Sequence, residues 1–208
     1  MRKIKNIIFD LGGVIINLNI PKTIQSFENM GFPNFKQIYT QAQQSSLFDS
    51  FDKGIISENE FFTQLRSLLH TEISNNDLKK AWNTMLLDFP IQRLNLLKEL
   101  KQKYRLFLLS NTNETHVEEF EQALFEQHGY KNLEPFFEKV YYSCRIGMRK
   151  PDKEIFDFVL KENNLIPEET VFIDDSIQHV NGAKTTGINV YLLDKNKEVG
   201  ALLKGLRL

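Results

Sequence analysis

Apolar residues along the chain keep two rhythms. Four short runs are nearly continuous in apolar residues and rich in β-formers: KNIIFD (5–10), RLFLLSN (105–111), TVFIDD (170–175) and NVYLLD (189–194). Unbroken rather than alternating runs of this length predict strands covered on both faces of a parallel sheet. A further strand is expected within YYSCRI (141–146). Between the later runs the period changes to that of a helix. The stretch 91–104 sets Leu94, Leu97 and Leu100 on one side, and 151–164 does the same with Ile155, Phe158 and Val159. Pro151 suits the first turn of that second helix. Strands alternating with helices predict a doubly wound α/β fold.

The stretch 16–90 has a different texture. SENEFFTQLRSLLH (57–70) opens with Ser57 and Glu60 at capping-box spacing and then places Phe61, Leu65, Leu68 and Leu69 on one face. NNDLKKAWNTML (75–86) repeats the pattern with Leu78, Trp82 and Met85. Helices are also expected near 22–30 and 34–45, separated by Gly31 and Pro33, and SSLFDSFDKGIIS (45–57) is expected to be a loop. So large a helical block is too long for a crossover between two strands. It predicts an inserted helical module at 16–90, with 1–15 and 91–208 forming the α/β core.

Composition narrows the classes. A chain of 208 residues, 41% hydrophobic, can bury a substantial core. Its 26 basic residues nearly cancel 27 acidic ones, and no basic patch favours a nucleic-acid partner. The single Cys144 makes neither an internal disulfide nor a cysteine-rich metal site. The first apolar run meets Asp10 too early for a signal peptide, and no stretch approaches the roughly 20 apolar residues of a membrane helix. A cytoplasmic protein with no readable protein partner is expected.

The chemistry gathers at strand ends, where ligands bind in open α/β sheets. The first run delivers Asp10, the second Ser110 and Asn111, the third Asp174 and Asp175, and Lys150 precedes a helix. Taken singly, each residue has a plainer reading: a turn, a helix cap, a solvated lysine. The four histidines show no metal-ligand spacing and are expected to be surface or packing residues. Taken together, three carboxylates in one crevice repel one another unless a cation intervenes. Hard oxygen ligands suit Mg²⁺, and a lysine and a serine beside them suit phosphoryl oxygens. The set asks for phosphoryl transfer through a carboxylate nucleophile.

FDLGGV (9–14), LLSNTN (108–113), GMRKPD (147–152) and FIDD (172–175) resemble, in order and spacing, the four motifs of the haloacid dehalogenase-like (HAD) hydrolase superfamily. The wording of the second and third is similar to bacterial sugar-phosphate phosphatases of the α-D-glucose-1-phosphate phosphatase type. The resemblance covers essentially the whole chain and implies a Rossmann-like core with a helical cap. It makes Asp10 the nucleophile, Ser110 and the Asn111 backbone the holders of a phosphoryl oxygen, and Lys150 the neutralising cation. Asp10, the Gly12 carbonyl, Asp174 and Asp175 become the Mg²⁺ site, with either of the last two as direct ligand. The substrate implied is a small phosphate monoester, of sugar-phosphate type.

One position departs from the pattern. Most phosphatases of the superfamily carry an aspartate two residues after the nucleophile, as general acid and then base, and here that residue is Gly12. Such catalysis is typically worth about 10²–10⁴-fold. Three consequences stand open: another acid such as Asp49 or Asp52, or solvent, takes over; the enzyme is slow and favours good leaving groups; or the protein binds phosphate without turnover. A dehalogenase also lacks the second acid but has no need of the Asp174–Asp175 pair. Comparing phosphate release across alkyl and aryl phosphates separates these cases. An enzyme short of an acid shows rates that depend steeply on leaving-group pKa, and Gly12→Asp flattens that dependence. A shallow dependence unchanged by Gly12→Asp means that another acid holds the role.

Overall fold

Each strand of the core shows alternate side chains to two separate apolar layers. In β1 (Asn6–Phe9), Ile7 and Phe9 join one layer and Ile8 the other. The computed structural model describes residues 3–44 and 46–208. After β1 come α1 (Ile20–Asn29), α2 (Phe35–Gln44), α3 (Ser46–Asp52), α4 (Glu58–Leu69) and α5 (Asn75–Asn83). Then α6 (Ile91–Leu100), β2 (Arg105–Ser110) and α7 (Glu114–His128) lead to β3 (Lys139–Tyr142), α8 (Ser143–Ile146) and α9 (Lys153–Glu162). The chain ends with β4 (Thr170–Asp174), α10 (Ile177–Lys184), β5 (Asn189–Leu192) and α11 (Val199–Leu206).

All strand pairings are parallel, in the order β3-β2-β1-β4-β5. The fold is therefore a doubly wound α/β sheet with helices on both faces. One face carries Leu94 and Leu97 of α6, Val117 and Phe120 of α7, and Val199 and Leu203 of α11. The other carries Ile155 and Phe156 of α9 and Ala183 of α10. Because β1 lies between β2 and β4, with Phe9 level with Leu108 and Ile173, the residues following these three strands emerge side by side.

The helices α1–α5 build a core of their own. Phe27 and Phe35 stack at 3.9 Å, Phe51 and Phe61 at 4.1 Å, and Trp82 packs against Phe48 and Phe61. The cap of α4 is the reciprocal pair expected from the sequence: Ser57 N–H donates to Glu60 Oε2 at 2.8 Å, and Glu60 N–H to Ser57 Oγ at 3.3 Å.

Several expectations shift. The residues YYSCRI divide, with Tyr141 and Tyr142 closing β3 and Ser143–Ile146 forming α8. The expected loop at 45–57 contains α3, a helix of seven residues held by burial of Leu47, Phe48 and Phe51. Leu68 points outward at 47% exposure, while Phe61, Leu65 and Leu69 are buried as expected. Pro151 falls just ahead of α9, whose N-cap is Asp152. The helix expected at 34–45 ends at Gln44, and Ser45 lies outside the described residues.

Phe61 is fully buried and touches Phe48, Phe51, Phe62 and Trp82. Truncating such a ring costs about 3–5 kcal/mol, combining lost burial with an unfilled cavity. Phe61→Ala is expected to lower stability by that amount, read from the midpoint of urea unfolding.

Candidate active site

A lysine ammonium with no solvent contact lies at the carboxyl edge of the sheet. Lys150 Nζ donates to Asp10 Oδ1 at 2.6 Å, Asp174 Oδ2 at 2.7 Å and the Leu109 carbonyl at 2.8 Å. An ammonium has three N–H bonds, and all three are used. The substrate contact expected of Lys150 would require it to exchange one of them; as it stands, its charge acts through Asp10. The backbone of Lys150 is fixed as well. Asn111 Nδ2 donates to the Lys150 carbonyl at 2.8 Å, and Lys150 N–H donates to Asn111 Oδ1 at 2.9 Å. The side chain of Asn111 thus grips the lysine-bearing loop, a role the sequence did not disclose.

The carboxylates follow from strand register. Asp10 continues β1, its N–H donating to the Ile173 carbonyl at 2.9 Å, which sets it beside the end of β4. Asp174 accepts from Lys150, from Ser176 N–H at 2.8 Å, and contacts His179 Nδ1 at 3.0 Å. His179 therefore belongs to the site rather than to the surface or packing class expected of the histidines. Ser176 precedes α10 without a side-chain cap bond, so the capping alternative for this stretch is not what its hydroxyl does. Asp175 is half-buried beside Gly13, whose φ is +72°. A Cβ there would lie 2.6 Å from Asp175 Oδ2, so glycine is what admits that carboxylate.

Electrostatics divide these acids. Burial raises the Asp10 carboxyl to about 7; Lys150 opposes the rise and Asp174 adds to it. Burial works against ionised Asp174 too, but Lys150 and His179 together hold its carboxyl well below the usual range. Burial and the neighbouring Asp174 push Asp175 upward. Three carboxylates against one ammonium leave an excess of negative charge in a desolvated place. Ligand oxygens of Asp10, Asp174 and Asp175 lie within 4.8 Å of one another. That donor set, all oxygen and short of positive charge, fits a hard divalent cation.

Beside these groups opens a cavity of about 450 Å³ between the sheet edge and the helices α2, α3 and α5. Gly12, Ser110, Asn111, Asn113, His116 and Arg149 line it from the α/β side, and Tyr39, Phe48, Asp49, Asp52 and Trp82 from the other. Ser110 is buried at the end of β2, and the turn after it is anchored by Ser143. That hydroxyl accepts from Thr112 N–H and donates to the Thr112 carbonyl, both at 2.9 Å. Asn113, whose Oδ1 accepts from His116 N–H at 3.0 Å, caps α7. The seven expected site residues thus fall in one region: Asp10, Lys150, Asp174 and Asp175 in the charged cluster, and Gly12, Ser110 and Asn111 on the cavity wall. His179, Ser143 and the Asn111 side chain escaped sequence reading, because each acts through a contact formed only in the folded chain; the cap at Asn113 is local, and what escaped there is its bond to Asp52.

An α/β sheet whose central strand ends in a carboxylate, held by a buried lysine and flanked by an acidic pair, defines a class of hydrolase built around that carboxylate. The chain belongs to this class by descent: the family model for haloacid dehalogenase-like hydrolases matches residues 7–193, and the protein is a member of that family. It is similar to a D-ribitol-5-phosphate phosphatase of Bacteroides thetaiotaomicron, 32% identical over 188 residues, covering 90% of this chain and 91% of the relative. A HAD family enzyme from the same organism, solved with magnesium and inorganic phosphate, superposes with a TM-score of 0.87 at 36% identity, over 96% of this chain and 98% of that one. A HAD-like family hydrolase from Porphyromonas gingivalis superposes with a TM-score of 0.87 at 32% identity over the full length of both chains.

His116 supplies a pH test of this architecture. Its ring stacks on Trp82 at 5.6 Å, and burial lowers its pKa from 6.5 to about 4, against a smaller opposing hydrogen bond to the Trp82 backbone. The unfolded imidazole takes up a proton near pH 6.5, whereas the folded one resists until about pH 4. Stability is therefore complete above pH 6.5 and declines as pH falls towards 4, by roughly 3 kcal/mol for this group. Urea unfolding of wild type and His116→Gln at pH 7.5 and pH 4.5 is expected to show a smaller acid loss in the variant.

Proposed function

We propose that the protein is a Mg²⁺-dependent phosphatase acting on a small phosphate monoester of the sugar-phosphate type, through an aspartyl-phosphate on Asp10. The observation carrying this reading is the meeting of Asp10, Asp174 and Asp175 oxygens within 4.8 Å, beside a lysine and a cavity. Lys150 binds Asp10 Oδ1, which leaves Oδ2 as the attacking atom. Ser110 and the Asn111 backbone would hold a phosphoryl oxygen, and Lys150 would keep Asp10 ionised and oriented. Magnesium, when bound, would neutralise the carboxylates and the phosphoryl oxygens, held by Asp10, the Gly12 carbonyl, Asp174 and Asp175. Of the acidic pair, Asp175 is the better candidate for direct ligation, since both Asp174 oxygens already serve Lys150, His179 or Ser176.

In this reading residues 16–90 are a cap over a core of 1–15 and 91–208, and the cap wall of the cavity selects the alcohol part of the substrate. The name of the D-ribitol-5-phosphate phosphatase supports a small polyhydroxylated phosphate, and so do the polar groups on both walls of the cavity. No described helix is long and apolar enough to cross a membrane, and a cytoplasmic setting completes the proposal.

Phosphate release from a panel of sugar, acyl and aryl phosphates tests it, with Mg²⁺ and with EDTA. Wild type is expected to turn over only with Mg²⁺, and Asp10→Asn to lose roughly 10³-fold or more. Turnover that survives in Asp10→Asn would sink the nucleophile assignment.

A further inference from the structure

Gly12 borders the cavity without a side chain that could transfer a proton, so an alkoxide leaving phosphorus must take its proton from another wall. Among the described residues, three carboxyl or imidazole groups outside the charged cluster line the cavity: Asp49, Asp52 and His116. Asp49 is engaged by the Arg149 guanidinium in an ion pair. His116 is stacked on Trp82, and burial holds it neutral down to about pH 4, so it has no proton to give near neutrality. Asp52 is different. It ends α3 and, among the described residues, forms no ion pair; its one hydrogen bond comes from Asn113 Nδ2 to Oδ1 at 3.3 Å.

We propose that Asp52 is the general acid and base of the reaction, reaching from the helical insert to replace the function missing at Gly12. The proposal rests on the phosphatase reading and adds a residue to it. Two features place Asp52. Asn113 stands three residues beyond Ser110 on the same anchored turn, so the Asn113–Asp52 bond ties the carboxyl to the loop expected to hold the phosphoryl group. On the other side, Gly54 (φ +66°) lets the chain leaving α3 approach α8 so closely that a Cβ would lie 2.1 Å from the Cys144 carbonyl oxygen, which fixes where α3 ends.

The neighbours keep the carboxyl protonatable. Lys53 is turned to Asp152 and Arg149 to Asp49. The Cys144 thiol, pushed up to about 12 chiefly by burial, is neutral. Burial accordingly raises Asp52 to about 6, with the Asn113 bond lowering it somewhat. A general acid works best with a pKa near the operating pH. In the first step Asp10 Oδ2 forms its bond to phosphorus while the bond to the leaving oxygen breaks. That oxygen keeps the electron pair and takes the Asp52 proton. In the second step a water oxygen attacks phosphorus and gives a proton to the Asp52 carboxylate. The Asp10–phosphorus bond breaks, inorganic phosphate departs, and Asp52 is again protonated.

The test compares wild type and Asp52→Asn, with Mg²⁺, on an alkyl sugar phosphate and on p-nitrophenyl phosphate, whose leaving group needs no proton. Under single-turnover conditions the variant is expected to lose about 10²–10³-fold on the alkyl ester. It should keep a p-nitrophenol burst close to one per enzyme, followed by slow turnover because the base for water is also gone. The retained burst doubles as proof that the variant is folded. Equal losses on both esters, a raised KM with unchanged kcat, or no loss would each overturn the assignment and leave Asp52 as a binding or positioning group at most. Wild type that releases phosphate from neither ester would instead remove the phosphatase reading, and this proposal with it.

Discussion

The structure turns on a buried ammonium. Placing Lys150 out of water is costly, and the cost is met only where anionic and carbonyl oxygens are already arranged to receive it. Here those oxygens belong to Asp10, Asp174 and Leu109, at or beside the ends of β1, β4 and β2. They can converge only if these strands are neighbours in parallel register, as the order β2-β1-β4 provides. The lysine comes from a fourth place, the loop between α8 and α9, and Asn111 holds that loop by both backbone polar groups of Lys150. Loss of any one partner leaves a charge buried without its complement. Fold and site are therefore one arrangement, and the acidic excess around Asp10 is a property of the topology.

Around that fixed centre the molecule is made of separate apolar packings. The sheet has a layer on each face, and the helices α1–α5 share a third core dominated by aromatic rings. The seam between that third core and the α/β body is mostly polar: Thr115 donates to Glu58 at 2.7 Å, Lys79 to Glu118 at 2.8 Å, and Asn83 to Glu119 at 3.0 Å. The exposed Lys79–Glu118 pair is worth about 0–1 kcal/mol and exchanges readily with water, whereas Thr115 and Asn83 are buried donors that reach acids at the rim of the seam. A cavity on such a seam can change its dimensions without disturbing either core, which suits an enzyme that must admit a substrate and then exclude water.

Much of this was legible from residue order. The unbroken runs gave four of the five strands because strands buried on both faces leave no polar side to alternate. The Ser57–Glu60 cap is local and could be read directly. What could not be read depends mostly on pairs far apart in the chain. Nothing in GMRKPD announces that Asn111 will bind the Lys150 backbone 39 positions away. His179 is only five residues from Asp174, but its turn to that carboxylate depends on how α10 leaves the end of β4. The helix α3 was missed because seven residues hold too few turns to establish a period, and its formation rests on Leu47, Phe48 and Phe51 finding the aromatic core.

Gly12 shows how sequence and packing divide a function. A Cβ at this position would lie 2.5 Å from Leu18 Cδ1 and 3.9 Å from Asp10 Oδ2. An acidic side chain would enter here only as the flexible end of Leu18 turns aside, against a wall that also carries Ile16 and Leu86. An acid in that setting would stand among apolar neighbours, beside a carboxylate that burial already pushes upward. The opposite wall is the better place for a proton donor: burial raises the half-buried Asp52 carboxyl to about 6, close to the working range of a general acid, and a hydrogen bond from Asn113 fixes its direction. Glycine at 12 and an acid at the end of α3 are, on this reasoning, two parts of the same solution.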